Sequence, residues 1–152
     1  MEVNPIDKVL EFAIANEEQA AQFYSKLAEQ ARNPQMKRVF LDFAAEENRH
    51  KTQLEEMKRG GQILPLVKEV QTLGLADNLR SDDIDLSEPM DYQQALSLAM
   101  RSEKAAYQLY DKLSETVSDP AVKELFKRLA QEEARHKLRF EIEYDDAFLK
   151  EN

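Results

Sequence analysis

The stretches Glu46-Glu47-Asn48-Arg49-His50 and Glu132-Glu133-Ala134-Arg135-His136 decide how this chain folds. Each contains the pattern Glu-x-x-His, and their two histidines are the only ones in the 152 residues. Residues three apart lie on one face of an α-helix, so each glutamate and its histidine can bind one metal ion together. The spacing therefore predicts two helices with matching metal ligands.

A third glutamate repeats together with these motifs, because Glu17 precedes the first and Glu103 precedes the second at the same spacing of 86 residues. The repeat continues without a gap through Tyr24 and Tyr110, which indicates a duplicated helical hairpin. One Glu from each of two helices plus Glu-x-x-His from each of two others is the general ligand set of a two-metal site in a ferritin-like four-helix bundle. The predicted metal ligands are Glu17, Glu47, His50, Glu103, Glu133 and His136.

Composition favours one all-α domain. The chain has three Gly, five Pro and 34% charged residues, and it lacks the alternating pattern of strands. We expect a single domain over residues 1–152, with helical hairpins at 5–59 and 89–151 joined by a long crossover at 60–88. This is a ferritin-like antiparallel four-helix bundle in which the crossover lets the second and third helices run parallel.

Capping patterns predict where the helices begin and end. The predicted N-terminal signals are Asn4-Pro5, Asn33-Pro34, Asp119-Pro120 and a capping box formed by Asp91 and Gln94. The predicted ends are about Gln30, Arg59 with Gly60-Gly61 as a stop, about Val117 and nearly the last residue. Residues 66–79 are expected to form a short helix inside the crossover.

Charge and cysteine content restrict the function. The net charge of −9 argues against nucleic acid and anionic membrane surfaces, and no run of about 18 apolar residues predicts a membrane span. The acidic first residues are unlike a signal peptide, so a cytoplasmic location is expected. The absence of cysteine excludes thiol catalysis, iron–sulfur clusters and rubredoxin-type iron. Electrons for redox chemistry would have to come from an external donor.

The ligand types indicate which metals fit. Mixed carboxylate and imidazole ligation suits iron or manganese, and zinc less specifically. Four carboxylates in an apolar bundle would repel one another and take up protons, whereas two divalent ions would balance their charge. We therefore expect metal to stabilise the fold.

Residues beside the predicted ligands allow two interpretations. Tyr24 and Tyr110 lie seven residues after Glu17 and Glu103, which is typical of core aromatics but also suits hydroxyls that orient a ligand or relay an electron. Similar spacing predicts two further core aromatics, Phe40 and Phe126. Three glutamates adjacent to ligands should point about 100° away into solvent; these are Glu18, Glu46 and Glu132.

Segments 17–24 and 44–50, with their repeats at 103–110 and 130–136, resemble the diiron domain of rubrerythrins. The resemblance covers nearly the whole chain. It implies that Glu47 and Glu133 bridge two iron ions, that the protein is a homodimer, and that it reduces hydrogen peroxide with electrons from a donor such as a rubredoxin-like protein. Typical rubrerythrins carry an additional Glu three residues after the helix-three ligand, whereas this chain has Ala106.

Several functions follow as alternatives. The first is a diiron or dimanganese oxidoreductase that reduces hydrogen peroxide or dioxygen, or oxidises ferrous iron as a ferroxidase. The others are a non-catalytic metal-binding or iron-storage protein and a manganese catalase-like enzyme. A ferritin-style cage is disfavoured because no fifth helix is expected after the fourth.

Overall fold

Four helices of 25 residues each make up most of the structure, a computed structural model that describes residues 5–60 and 91–149. Their bounds are α1 Pro5–Glu29, α2 Pro34–Lys58, α3 Tyr92–Thr116 and α4 Pro120–Tyr144. Each is about 37 Å long at 1.5 Å per residue. Predictions about Asn4, Gly61, the short helix at 66–79 and most of the crossover lie outside the described residues.

Side-chain caps fix the helix starts where the sequence predicted them. The Asn33 carboxamide oxygen accepts a hydrogen bond from the Met36 amide at 2.8 Å. Asp91 and Gln94 form the complete capping box, with the two hydrogen bonds at 2.8 and 3.3 Å. Gly60 follows α2 with φ of +89°, a left-handed conformation that glycine adopts without steric cost. Local sequence therefore determines these helix boundaries.

The end of α4 differs from the prediction of one helix running nearly to the last residue. The α-helix ends at Tyr144 and continues as a single π-helical turn, Asp145–Leu149. In this wider turn the Phe148 ring packs against Tyr144 and Tyr92, with ring centroids 5.4 and 6.2 Å apart. The aromatic contacts accompany the change in winding.

Contacts between helices define the bundle topology. α1 packs mainly against α2, and α3 against α4. Glu47 of α2 lies beside His136 of α4, whereas His50 lies beside Glu133, so these two helices run antiparallel. Since the short connections make each hairpin antiparallel, α2 and α3 run parallel, as predicted. The described residues form the four-helix bundle of the ferritin-like class, and they contain no strand.

Two apolar clusters fill the bundle on either side of its middle. One end is rich in aromatic rings and contains the predicted core residue Phe40, and the other contains Phe126; both side chains are fully buried. On α1, Glu17 lies between Leu10 and Ala13 of one cluster and Tyr24 of the other. The predicted ligands of the other three helices fall between the clusters in the same way. The fold thus places the polar residues at the buried centre of the bundle.

Candidate metal centre

All six predicted metal ligands meet at the centre of the bundle. The four glutamates are at most 2% exposed, and His50 and His136 are 0% and 8% exposed. They form two four-residue groups in which one candidate ligand atom from each residue lies within 4.8 Å of the others. The first group is Glu17, Glu47, His50 and Glu133, and the second is Glu47, Glu103, Glu133 and His136.

The two groups share Glu47 and Glu133, the residues expected to bridge two ions. His50 Nδ1 lies 2.8 Å from a Glu133 carboxylate oxygen, and His136 Nδ1 lies 3.1 Å from a Glu47 oxygen. Each shared carboxylate therefore reaches the histidine of the opposite hairpin. A third grouping, Glu46 with both histidines, reuses the same imidazoles and is no separate site.

Buried polar atoms without hydrogen bonds test whether this cluster suits metal ions. Buried oxygens of Glu17, Glu47, Glu103 and Glu133 and the Nδ1 atoms of both histidines make no hydrogen bond of good geometry, although each Nδ1 lies 2.8 or 3.1 Å from a carboxylate oxygen. Burying such atoms without partners costs about 1–3 kcal/mol each, more when the group is charged. Carboxylate and imidazole lone pairs that converge on one point are the donor set of a divalent transition-metal ion. The residues present therefore fit a two-metal centre.

Electrostatics agree with that fit. Burial, followed by the nearby Glu103 charge, raises the pKa of Glu47 to about 8, and burial raises the pKa of Glu133 well above its usual range. Burial acts to lower the pKa of His50, but the neighbouring Glu132, Glu17 and Glu47 carboxylates raise it well above 6.5. Without metal, protons thus compensate the clustered charge. Metal ions would take over that compensation and release the protons.

Both tyrosines contact the site across the bundle. The Tyr24 hydroxyl on α1 donates a hydrogen bond to Glu103 on α3 at 2.5 Å, and Tyr110 on α3 donates one to Glu17 on α1. Burial is the largest cause that raises both tyrosine pKa values well above 10, so the hydroxyls stay protonated donors. They are core aromatics whose hydroxyls also contact a candidate ligand, and an electron relay through them stays a prediction. Each tyrosine orients the glutamate of the other hairpin.

A carboxylate that the sequence analysis assigned to solvent contacts a histidine instead. Glu132 Oε2 lies 3.2 Å from His50 Nε2, and the Glu132 side chain is only 17% exposed. The prediction for Glu132 was wrong because it considered α4 alone, whereas α2 packs against this face of α4. A carboxylate on the second imidazole nitrogen fixes ring orientation and makes the ligand more basic.

Glu46 and Glu18 are more exposed to solvent than Glu132, which is closer to what the sequence predicted for all three. Glu46 Oε2 lies 3.9 Å from His136 Nε2, and its side chain is 37% exposed at the edge of the site. Arg49 pairs with Glu46 and lies 3.6 Å from Glu132, so one guanidinium links the two outer carboxylates. Glu18 pairs with Lys51 on the surface at 2.7 Å, as a solvated residue should. The repeat of Glu-Glu in both motifs was the signal for the outer pair.

The fold and the site define a class: a ferritin-like four-helix bundle with a buried cluster of carboxylates and imidazoles suited to metal binding. The family model described as Rubrerythrin matches residues 8–144. The chain belongs to the rubrerythrin family. No curated protein matches the chain.

Solved structures share the fold over almost the whole chain. An uncharacterised conserved protein from Magnetospirillum magnetotacticum MS-1 is 25% identical, with a TM-score of 0.67 and coverage of 91% of this chain and 92% of that one. A hypothetical protein from Pyrococcus furiosus is 24% identical, with a TM-score of 0.64 and coverage of 92% and 88%. A candidate ferritin-like diiron-carboxylate protein from Thermotoga maritima is 20% identical, with a TM-score of 0.64 and coverage of 97% and 99%.

None of the helices in the described part of the chain has the length and apolar character needed to cross a bilayer.

Proposed function

We propose that this protein is a diiron oxidoreductase that reduces hydrogen peroxide or dioxygen, or oxidises ferrous iron, with electrons from an external donor. The observation that carries the proposal is the pair of buried four-residue groups that share Glu47 and Glu133. Six side chains would hold the two ions, namely Glu17, Glu47, His50, Glu103, Glu133 and His136. When bound, iron or manganese would supply Lewis acidity and redox electrons that no side chain of this chain provides.

The surrounding residues would keep the ligand set rigid. Tyr24 and Tyr110 donate hydrogen bonds to Glu103 and Glu17, which leaves one oxygen of each carboxylate free of hydrogen bonds. Because Glu132 lies beside His50 Nε2, the Nδ1 atom of that ring is directed toward the cluster. Such preorganisation lets a site change charge with little structural rearrangement.

An opening toward solvent favours a reactive site over a sealed structural one. A cavity of about 270 Å³ between α1 and α3 reaches Glu17 and Glu47, so a small molecule can approach the proposed ligands from outside. A purely structural metal site has no need of such access. The lack of cysteine in the sequence supports the proposed external donor. The homodimer, a rubredoxin-like donor and a cytoplasmic location stay predictions.

The first experiment is elemental analysis of protein purified without oxygen from iron-replete and manganese-replete cells. We expect about two iron or manganese ions per chain, and loss of both in the Glu47→Ala and Glu133→Ala variants. Glu18→Ala is the matched control, because Glu18 adjoins a proposed ligand in sequence but pairs with Lys51 at the surface. Equal metal content in all variants would refute the ligand assignment.

Kinetics then separate the alternatives. Anaerobically reduced, iron-loaded protein should be oxidised rapidly by hydrogen peroxide and return to the reduced state only when a donor is added. Peroxide consumption without any reductant would instead indicate catalase-like dismutation. Iron uptake far beyond two ions per chain would indicate storage.

A further inference from the structure

The cavity between α1 and α3 has a polar floor and walls that include apolar side chains. Its floor is formed by Glu17, Glu47 and Tyr110, and its volume is about 270 Å³. The walls include Phe23 of α1 and Leu109 of α3, which are repeat equivalents of each other. The lining also includes three polar residues, Asn16, Gln19 and Ser102. The apolar part of the wall therefore ends on two of the proposed ligands.

Two small residues keep this space open. Ala20 and Ala106 are also repeat equivalents, each three residues after the glutamate ligand of its helix, and both line the cavity. A larger side chain at either position would project into the space between α1 and α3, because residues three apart share one helix face. The volume thus depends on the alanine methyls.

The floor of the cavity carries buried carboxylate oxygens of two proposed ligands. Glu17 Oε2 and Glu47 Oε1 make no hydrogen bond, although these residues are only 2% and 1% exposed. The Tyr110 hydroxyl donates its hydrogen bond to the other carboxylate oxygen of Glu17. A ligand that fills the cavity would therefore contact the apolar residues of the wall and reach the proposed metal ligands at its end.

We propose that this cavity binds the alkyl group of small organic hydroperoxides, so that the protein reduces them as well as hydrogen peroxide. A cavity of about 150 Å³ lined by apolar side chains is large enough for benzene, so the larger space here accommodates a tert-butyl group. Hydrogen peroxide alone would leave most of the apolar wall without a contact. The inference rests on the proposed function and specifies its substrate class.

The reaction balances as a two-electron reduction. The O–O bond of the hydroperoxide would break, with two electrons supplied by a ferrous pair held by the six proposed ligands and two protons supplied by solvent. The products are an alcohol and one water molecule, and the external donor returns the two electrons.

Binding can be tested without turnover. Zinc-loaded protein is titrated with tert-butyl alcohol, the unreactive product analogue, and methyl NMR spectra are recorded. We expect shifts at the methyl signals of Ala20, Ala106 and Leu109. The Ala106→Leu variant should bind tert-butyl alcohol at least tenfold more weakly. Ala15→Leu is the control, because Ala15 is an exposed alanine of α1 that does not line this cavity. Shifts absent from these three residues would overturn the proposal.

Kinetics provide the second arm. Stopped-flow oxidation of the reduced iron-loaded protein should give rate constants for tert-butyl hydroperoxide and hydrogen peroxide within about tenfold of each other. Ala106→Leu should slow the organic substrate at least ten times more than hydrogen peroxide, and Ala20→Leu repeats the test from the opposite wall if the first variant does not fold. Oxidation by hydrogen peroxide alone would overturn this inference and leave the proposed function standing. Failure with both oxidants would refute the proposed function, and the NMR titration would still decide whether the cavity binds the alkyl group.

Discussion

Replacing Glu47 with Gln tests whether the centre destabilises the metal-free protein. Glu47 is 1% exposed, and burial together with the Glu103 charge raises its pKa from 4.5 to about 8 in the folded state. A group with a raised folded-state pKa contributes its full stability below the unfolded value, and this contribution is lost as pH rises through about 8. Glutamine stays neutral, so the variant escapes that loss.

The size of the effect follows from the same pKa. Because the unfolded state ionises Glu47 above pH 4.5 while the folded state keeps the proton up to about pH 8, the raised pKa lowers the free energy of unfolding by roughly 3 kcal/mol more at pH 8.5 than at pH 5.5. We therefore expect the free energy of unfolding of Glu47→Gln, relative to the wild-type protein, to rise by about 3 kcal/mol across this interval. The variant should be the more stable protein at pH 8.5, although it loses a proposed ligand.

Urea unfolding of chelator-treated protein at the two pH values measures this difference. Glu56→Gln provides the control, because Glu56 is exposed on the same helix, and its stability relative to wild type should not change with pH. If the difference in unfolding free energy between Glu47→Gln and wild type stays constant from pH 5.5 to 8.5, the folded state does not raise the pKa of Glu47. The reasoning about the buried cluster would then be wrong.

Three further results are expected. Chelation should lower the melting temperature of the loaded protein, since a free metal concentration about a thousandfold above Kd stabilises the folded state by about 4 kcal/mol; an unchanged temperature contradicts metal binding. Tyr24→Phe and Tyr110→Phe each remove a hydrogen bond to a buried carboxylate, so each should reduce the unfolding free energy of the loaded protein by about 1.5–3 kcal/mol. Denaturation with metal present measures both changes. Glu132→Gln should weaken metal affinity by about 10- to 100-fold in a competition titration, and Glu18→Gln should leave it unchanged.

The helices and the candidate ligands could be predicted because both depend on short-range spacing. The Glu-x-x-His pattern places two side chains on one helix face, and the capping residues Asn33 and Asp91 act within three residues of their own position. Duplication at 86 residues supplied the third ligand of each group, Glu17 and Glu103, without information about packing.

Contacts between helices could not be predicted in the same way. Spacing placed Tyr24 on the same face as Glu17, but its hydroxyl binds Glu103 of the other hairpin. Glu132 points away from the ligand face of α4, yet the packing of α2 brings His50 to it. The cavity beside Ala106 likewise depends on the distance between two helices. Sequence periodicity reports faces of one helix and does not report which side chain of another helix meets them.

The crossed contacts explain why the site also joins the two halves of the fold. Packing between α1 and α2 and between α3 and α4 stabilises each hairpin by itself. The shortest polar contacts within the centre instead link one hairpin to the other, as Tyr24 to Glu103 and His50 to Glu133 illustrate. Neither hairpin can assemble either four-residue group alone, since each group takes ligands from both. Metal binding and the docking of the two hairpins are therefore thermodynamically coupled, and variants that loosen the docking should lose metal affinity even where they touch no ligand.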